Sequence, residues 1–518
     1  MPTQIDMSRI TTGTMGMLNK SATSGIFGDT GAWGVDLTRF LSLVPVNVPA
    51  RMNTKAFSRQ IAGMGSPTAM WRSWLNINNQ QPSSAMGRDY AAARSSFEAI
   101  TVQAPYNPVG YAGIVTLDAV ALGRSYVDEV AQAKLYVLDQ VLIGQDMLIT
   151  NAQGWALPAV GSITLTPSAT GGTIGASLTV FVAVAPRSGA NYFDGGSAPA
   201  SANVSVAVSA GTTNSVSATW AAVKGAVAYD IYVGTAAGSM FYYTTTSIGT
   251  VTITSIPTSG ASNPIPSINL MPLMSQLRPG AGCLPLANPP VAGNGTPPTV
   301  DNSYSANYYN GVIASSLGDY SSVSGGGVPV TPGTGIPSGS IFIDNGGNAP
   351  AAVSSGGGVD ILDKLCAQIW NSVQLSPTAF MMNSNQGQEI SNILKSSPSA
   401  STLLPPTDAD ARINLAGGGF VSRYINMAAG GVPVAIEIHP RVPPGTIIAR
   451  TDYVPFPGSD IGSVFAVRCQ YDTSEFQYAT AYQAATFGGG PSWQFEVRSM
   501  ETLINAAPSA QGIATNIA

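Results

Sequence analysis

The character of the sequence changes abruptly at Asn151. Before it, Ser125 to Thr150 (SYVDEVAQAKLYVLDQVLIGQDMLIT) keeps Val127, Val130, Ala131, Leu135, Leu138, Val141, Leu142 and Leu148 at spacings of three and four. That period puts one apolar stripe on a helix, which at 1.5 Å per residue would run about 39 Å. Asp128 and Glu129 stand in its first turn, where negative charge suits the helix dipole. After it, Trp155 to Ile265 carries four formal charges in 111 residues: Arg187, Asp194, Lys224 and Asp230. Seven short runs rich in β-branched and aromatic residues follow one another there, from SITLTP through SLTVFVAVAP and AYDIYVG to TVTITSI, separated by Gly, Ser and Pro. Such spacing predicts a small antiparallel sandwich set behind a long spine helix.

The rest of the chain mixes both periods. Helices are expected over Ala306–Leu317 and Val359–Val373, the second with Ile361, Leu365, Ile369 and Trp370 on one face. A strand and a further helix follow within 379–395, and extended segments dominate the last hundred residues. The expected class is α+β. The expected divisions are an arm at 1–50, an extended loop at 51–110, and the spine helix with the start of its domain at 111–155. The sandwich follows at 156–265, then an α/β part with Gly/Ser/Pro-rich loops at 266–430 and an extended β part with its tail at 431–518.

Composition narrows the function. Only 49 of 518 side chains are charged, or 9%, against about 25% in an ordinary soluble domain. Soluble monomers keep charge so that copies stay apart, so a chain that gives it up is expected to be covered by other copies. Net charge is −5, with residues 1–100 at +4 and the remainder at −9, which argues against strong intrinsic nucleic-acid binding. No run approaches the 18–20 apolar residues of a membrane span, and MPTQIDMSRI lacks the apolar stretch of a secretory signal. The expectation is action in the compartment of synthesis, or release by lysis.

The chemical inventory is poor. His439 is the only histidine, so HExxH and histidine-rich metal sites are excluded, and no GxSxG, CxxC or phosphate-loop string occurs. The cysteines, Cys283, Cys366 and Cys469, suggest no disulfide framework. No catalytic, cofactor-binding or metal-ligating residues are expected, and the chain reads as no enzyme.

Four strings carry a family resemblance: 360–394 (DILDKLCAQIWNSVQLSPTAFMMNSNQGQEISNIL), 432–448 (VPVAIEIHPRVPPGTII), 495–518 (FEVRSMETLINAAPSAQGIATNIA) and 224–238 (KGAVAYDIYVGTAAG). The first three resemble segments of one branch of the major capsid proteins of tailed bacteriophages, which have the Hong Kong-97-type fold. The fourth resembles the immunoglobulin or fibronectin-III-like insertion that some members carry, in which Trp220 and Tyr229 would fill the core. The resemblance implies an arm, an extended loop, a peripheral domain built on the spine helix, an axial domain and an outward-projecting sandwich. It implies homo-pentamers and homo-hexamers closing an icosahedral shell around double-stranded DNA, which would be touched nonspecifically. Portal, scaffold and decoration proteins are the implied further partners, and no membrane is. The implied location is the virion, after assembly in the host cytoplasm. His439, Pro440, Pro443, Pro444 and Gly445 are then a turn between two strands, and Arg51, Arg59, Trp71, Trp74 and Arg88 are contacts between subunits. The alternative is an adhesin of a phage or cell surface with a carbohydrate-binding sandwich. The insertion's self-contained pattern also implies that 156–262 could be removed without loss of assembly.

Overall fold

The computed structural model describes residues 57–61, 68–74, 99–123, 128–151, 157, 159–194, 197–223, 225–237, 239–257, 312–313, 341–353, 358–396, 421–454, 463–478 and 492–518. The arm at 1–50, Arg51, Arg88, Cys283 and most of 306–317 lie outside these residues.

The described chain opens with β1 (Ser58–Ile61), an antiparallel pair β2 (Thr68–Trp74) and β3 (Ala99–Pro105), β4 (Asn107–Thr116), and helices α1 (Leu117–Gly123) and α2 (Glu129–Asn151). Asp128 caps the spine helix α2: its Oδ1 accepts the Ala131 N–H at 3.1 Å, satisfying one of the donors that a helix start leaves open. The buried stripe is Ala133, Val137 and Val141, and then every residue from 144 to 151 is buried. Leu135, expected in that stripe, is 66% exposed. The facing strand explains the rotation. A Cβ at Gly113 would lie 2.5 Å from the Phe495 ring and 3.0 Å from Val137, so the helix seats its smaller side chains, where the sheet leaves room for them.

The sandwich holds β5 (Ile163–Ser168), β6 (Thr179–Arg187), a short helix α3 (Gly189–Asp194), β7 (Val204–Ala207), β8 (Ser215–Trp220), β9 (Ala228–Ala236), β10 (Ser239–Thr246) and β11 (Thr250–Ile253). Its sheets run β10-β9-β6-β7 and β11-β8-β5. Trp220 and Tyr229 meet between them edge to face, with ring centroids 5.5 Å apart. The buried Tyr229 hydroxyl accepts the Val223 N–H at 2.9 Å, and burial pushes its pKa up to about 12.

The remaining elements are β12 (Ile341–Asp344), α4 (Asp360–Val373), β13 (Ala379–Met382), α5 (Ser384–Ser396), β14 (Arg423–Asn426), β15 (Val432–Ile438), β16 (Ile447–Arg450), β17 (Phe465–Tyr478), β18 (Ser492–Asn505), a 3-10 turn at Pro508–Ala510 and β19 (Gly512–Thr515). They divide between two sheets. One, β1-β17-β18-β4, carries α2 on one face, against Val115, Phe495 and Val497. The other is mixed, β12-β19-β16-β13-β15-β14, with α4 packed on β19. There Gly512 leaves space that Leu365 and Ile369 occupy, at 3.1 and 3.2 Å from where a Cβ would stand. Trp370, expected on the buried face of α4, is 36% exposed, while Leu362 and Cys366 are buried instead.

Two expected divisions do not follow the sheets. Strands from both sides of residue 430 share the six-stranded sheet, because β13 pairs with both β15 and β16. The sandwich is not self-contained either. Its buried side chains are continuous with those of the body, and the segment after β10 is tied to the end of β19. Gly249 N–H donates to Asn516 Oδ1 at 2.6 Å, and Asn516 Nδ2 donates to Asp344 Oδ1 at 2.7 Å. Asn516 holds φ +60°, a left-handed conformation that asparagine tolerates and most residues resist. Replacing Asn516 with Ala removes both bonds and that tolerance, so a loss of about 2–3 kcal/mol is expected. Urea unfolding of N516A against the parent checks this; a change under about 0.5 kcal/mol, the ordinary surface value, would show that the tie contributes little.

Candidate functional site

Among the described residues no group of three or more His, Cys, Asp or Glu could hold a metal ion, and no helix is long and apolar enough to cross a membrane. The ionisable side chains instead form joints between elements.

The first joint is the turn after β15. His439 is 1% exposed, and its backbone N–H donates to Met382 O at 2.9 Å. Its Nδ1 accepts the Arg441 N–H at 3.1 Å, and its Nε2 lies 3.0 Å from Oδ2 of Asp146 on α2, a fully buried carboxylate. An imidazole that accepts at Nδ1 carries its proton on Nε2, which here faces the carboxylate. Both ring nitrogens are engaged and neither meets solvent, so this His–Asp pair lacks the open nitrogen that a general base needs. Asn151 Nδ2 donates to Arg441 O at 2.8 Å, and Asn383 Nδ2 to Val442 O at 3.0 Å. Pro440, Pro443 and Pro444 fix their own φ and bring no N–H that would need a partner. Gly445, at φ +74°, lets Ile517 O and Ser247 approach where a Cβ would be 2.8 and 2.9 Å away.

The second joint ties β1 to the sheet carrying α2. Arg59 Nη2 lies 2.9 Å from Glu501 Oε2 and 2.7 Å from Asp472 Oδ1, and donates to Cys469 Sγ at 3.4 Å. Ser499 donates to the same Glu501 oxygen at 3.3 Å and accepts from Gln145 Nε2 at 2.7 Å. Burial pushes the Glu501 carboxyl above the usual range, with Arg59 opposing. The third joint is Arg450, 3% exposed, set between Glu437 (3.2 Å) and Asp452 (2.7 Å) and over the Phe57 ring at 5.3 Å.

The residues expected at contacts between subunits face inward where they are described. Trp71 donates from Nε1 to Asn505 O and to Ser73 Oγ, each at 3.1 Å. Trp74 N–H donates to Ala506 O at 2.8 Å, and its ring packs on the body's core. Arg59 belongs to the second joint. These three root β1 and β2 in their own chain. Large apolar side chains left open include Ile61 (70%) on β1 and Met70 (55%) on β2, and three stand together on the β14–β15 hairpin, with Ile425 54%, Met427 77% and Val432 42% exposed. The string RYINMAAGGV could have signalled this, since two apolar side chains stand beside a Gly-Gly turn at a sheet edge. The thiols of Cys366 and Cys469 are buried, and burial pushes both up to about 12, which favours the thiol over the thiolate.

No family description and no curated protein matches this chain. Among solved structures, the Cyanophage A-1(L) capsid is similar over 90% of this chain and 93% of that one, with 8% identity and a TM-score of 0.39. The capsid of a native GTA particle is similar over 91% of each chain, at 6% and 0.35. The satellite phage P4 procapsid is similar over 98% of each, at 8% and 0.32. These matches along most of the chain are phage capsid proteins, and all are distant.

Two predictions test the joints. His439→Ala leaves Asp146 buried without its imidazole, and removing one partner of a buried pair costs about 3–5 kcal/mol; urea unfolding should show that loss, and a smaller drop than for an exposed salt bridge would overturn the assignment. Glu501 keeps its proton to higher pH in the native chain than in the unfolded one, where it titrates near about 4.3. The native state therefore binds more protons just above that value, and stability falls as pH rises through the window. Glu501→Gln should flatten this part of the stability–pH curve relative to the parent; parallel curves would refute it.

Proposed function

We propose that this chain is the major capsid protein of a tailed bacteriophage, self-assembling through pentamers and hexamers into an icosahedral shell around double-stranded DNA. The observation that carries the reading is the seating of the string 432–448. The part of the sequence with the most specific family resemblance is also where α2, β13 and the end of β19 meet, through Asp146–His439 at 3.0 Å and Asn151–Arg441 at 2.8 Å. A spine helix lying along one sheet, a second sheet with its own helices, and a sandwich inserted after the helix follow the order that the resemblance implies. The 9% charge supports the reading too, because surface covered by neighbours needs little charge to stay soluble.

In this reading the protein is structural and uses no cofactor. The sandwich is of immunoglobulin type and projects outward, and DNA is met only through nonspecific contact with phosphates. Assembly takes place in the host cytoplasm, where portal and scaffold proteins join, and the finished chain resides in the virion. The open β14–β15 hairpin contributes a contact between copies.

Negative-stain microscopy of the chain expressed alone, after size-exclusion chromatography, tests this. Closed shells or rings of five and six are expected, and Met427→Asp should reduce their yield while leaving the unfolding midpoint unchanged. A stable monomer or trimer, alone and with a scaffold co-expressed, would reject the shell and favour the adhesin.

A further inference from the structure

The outer face of the sandwich's four-stranded sheet holds a polar cleft for which a shell subunit has no evident use. Asp230 on β9 is 1% exposed, and both of its oxygens are taken. Its Oδ2 lies 2.5 Å from Nε of Arg187, at the end of β6, and its Oδ1 accepts the Thr245 hydroxyl at 2.5 Å. Thr245 is braced in turn by the Tyr242 hydroxyl at 2.8 Å. The carboxylate thus occupies the Nε edge of the guanidinium. The two terminal nitrogens of Arg187 have no partner among the described residues, and the side chain is 22% exposed. It opens on a cleft of about 430 Å³, walled by Tyr192 of α3, Ala228, Thr246, Ser247 and Pro444 of the turn after β15.

We infer that this cleft binds a hydroxylated carboxylate of the size of a hexuronate. The free end of a guanidinium presents two parallel N–H groups, the geometry that grips a planar carboxylate through two bonds. Asp230 pre-sets that geometry, since a guanidinium held by its Nε edge cannot rotate away. It also neutralises most of the cation's charge, which favours a singly charged carboxylate over a phosphate dianion, for which a second cation would be needed. Beyond the fork, Thr246 and Ser247 bring hydroxyls. Thr246 Oγ1 already accepts the Ile248 N–H at 3.3 Å, so its own proton remains available to a ligand oxygen. Tyr192, Ala228 and Pro444 supply apolar wall for the C–H face of a sugar ring, beside the polar groups of Arg187, Thr245, Thr246 and Ser247. The cleft lies at the seam between sandwich and body, so a ligand there would touch both.

The same carboxylate chemistry could come from a free sugar acid or from one residue of an acidic polysaccharide. Calorimetric titration of the full chain separates these, using D-glucuronate and D-galacturonate as monomers and a galacturonate tetramer as the polymer. D-glucose and acetate control for ring and charge alone. Saturable binding of a uronate is expected, with glucose and acetate weaker by at least about tenfold. Arg187→Lys keeps a cation beside Asp230 but loses the fork, and should weaken the uronate by about tenfold or more. Tyr192→Ala should weaken it as well while leaving the Arg187–Asp230 pair in place, which covers the case in which the Lys variant does not fold. A tetramer that binds tighter than the monomers points to the polymer, and equal binding points to the free acid. Absence of saturable uronate binding, acetate as tight as uronate, or full-strength binding by Tyr192→Ala together with any folded Arg187→Lys would each overturn the assignment. The titration reads the same site in single chains and in particles, so its outcome is independent of whether shells form.

Discussion

A carboxylate and an imidazole, both closed off from water, hold the last turns of the spine helix against the turn after β15. An isolated buried carboxylate costs several kcal/mol, and His439 at 3.0 Å offsets part of that cost for Asp146. The same two turns of helix also bury Gln145, Thr150 and Asn151. Each has an assigned place: Gln145 on Ser499 and Thr473, Thr150 on the Asp146 carbonyl, Asn151 on the Arg441 carbonyl. The first half of the helix packs by shape against one sheet. Its second half is where that sheet, the six-stranded sheet and the base of the sandwich are joined by directional bonds. Loss of the His–Asp contact would leave the end of the helix held only by Gln145 and Asn151 among these directional bonds to other segments.

Charge is scarce in this chain, and much of what is described goes into such joints. Arg59, Arg187 and Arg450 each bridge to a carboxylate or carboxylates with little or partial exposure. The reach differs: Arg59 and Glu501 are 442 positions apart and Arg187 and Asp230 are 43, whereas Arg450 is 13 from Glu437 and two from Asp452. A buried arginine fork has strict demands on direction, which suits it to specifying which strand lies beside which.

Strand positions were the most legible feature. The seven sandwich runs alternate or stay apolar between clear breakers, and 432–438, 447–450 and the run beginning at 493 were readable for the same reason. The ends of α4 were legible too, where the period stops at Gln374, which takes up a left-handed φ of 56°. What could not be read was which side of an element meets the core. Leu135 and Trp370 lie on the outer sides of their helices, because the facing strands present Gly113 and Gly512 and the helices seat Val137, Leu365 and Ile369 against them. The polar segment around Trp71 and Trp74 gives no sign of what these rings meet within their own chain. Their partners, Asn505, Ala506 and the 3-10 turn, lie more than four hundred residues later, beyond the reach of any local pattern. The pairing across residue 430 is hidden for a related reason: strand pairing depends on where the chain returns, and β13 finds both of its neighbours after that point.

β19 has a position that bears on how the chain is made. It lies inside the six-stranded sheet, between β12 and β16, and residues 512–517 are wholly buried. During synthesis β12 and β16 must therefore wait with unpaired edges until Gly512–Thr515 has emerged, and the sandwich waits for Asn516. Sheets closed by such late, distant segments fold slowly and expose sticky edges while they wait. A nascent copy thus lacks its finished six-stranded sheet until this segment is made. While those edges stay open, neighbouring nascent copies can mispair along them, and that is the interval in which a chaperone would matter most.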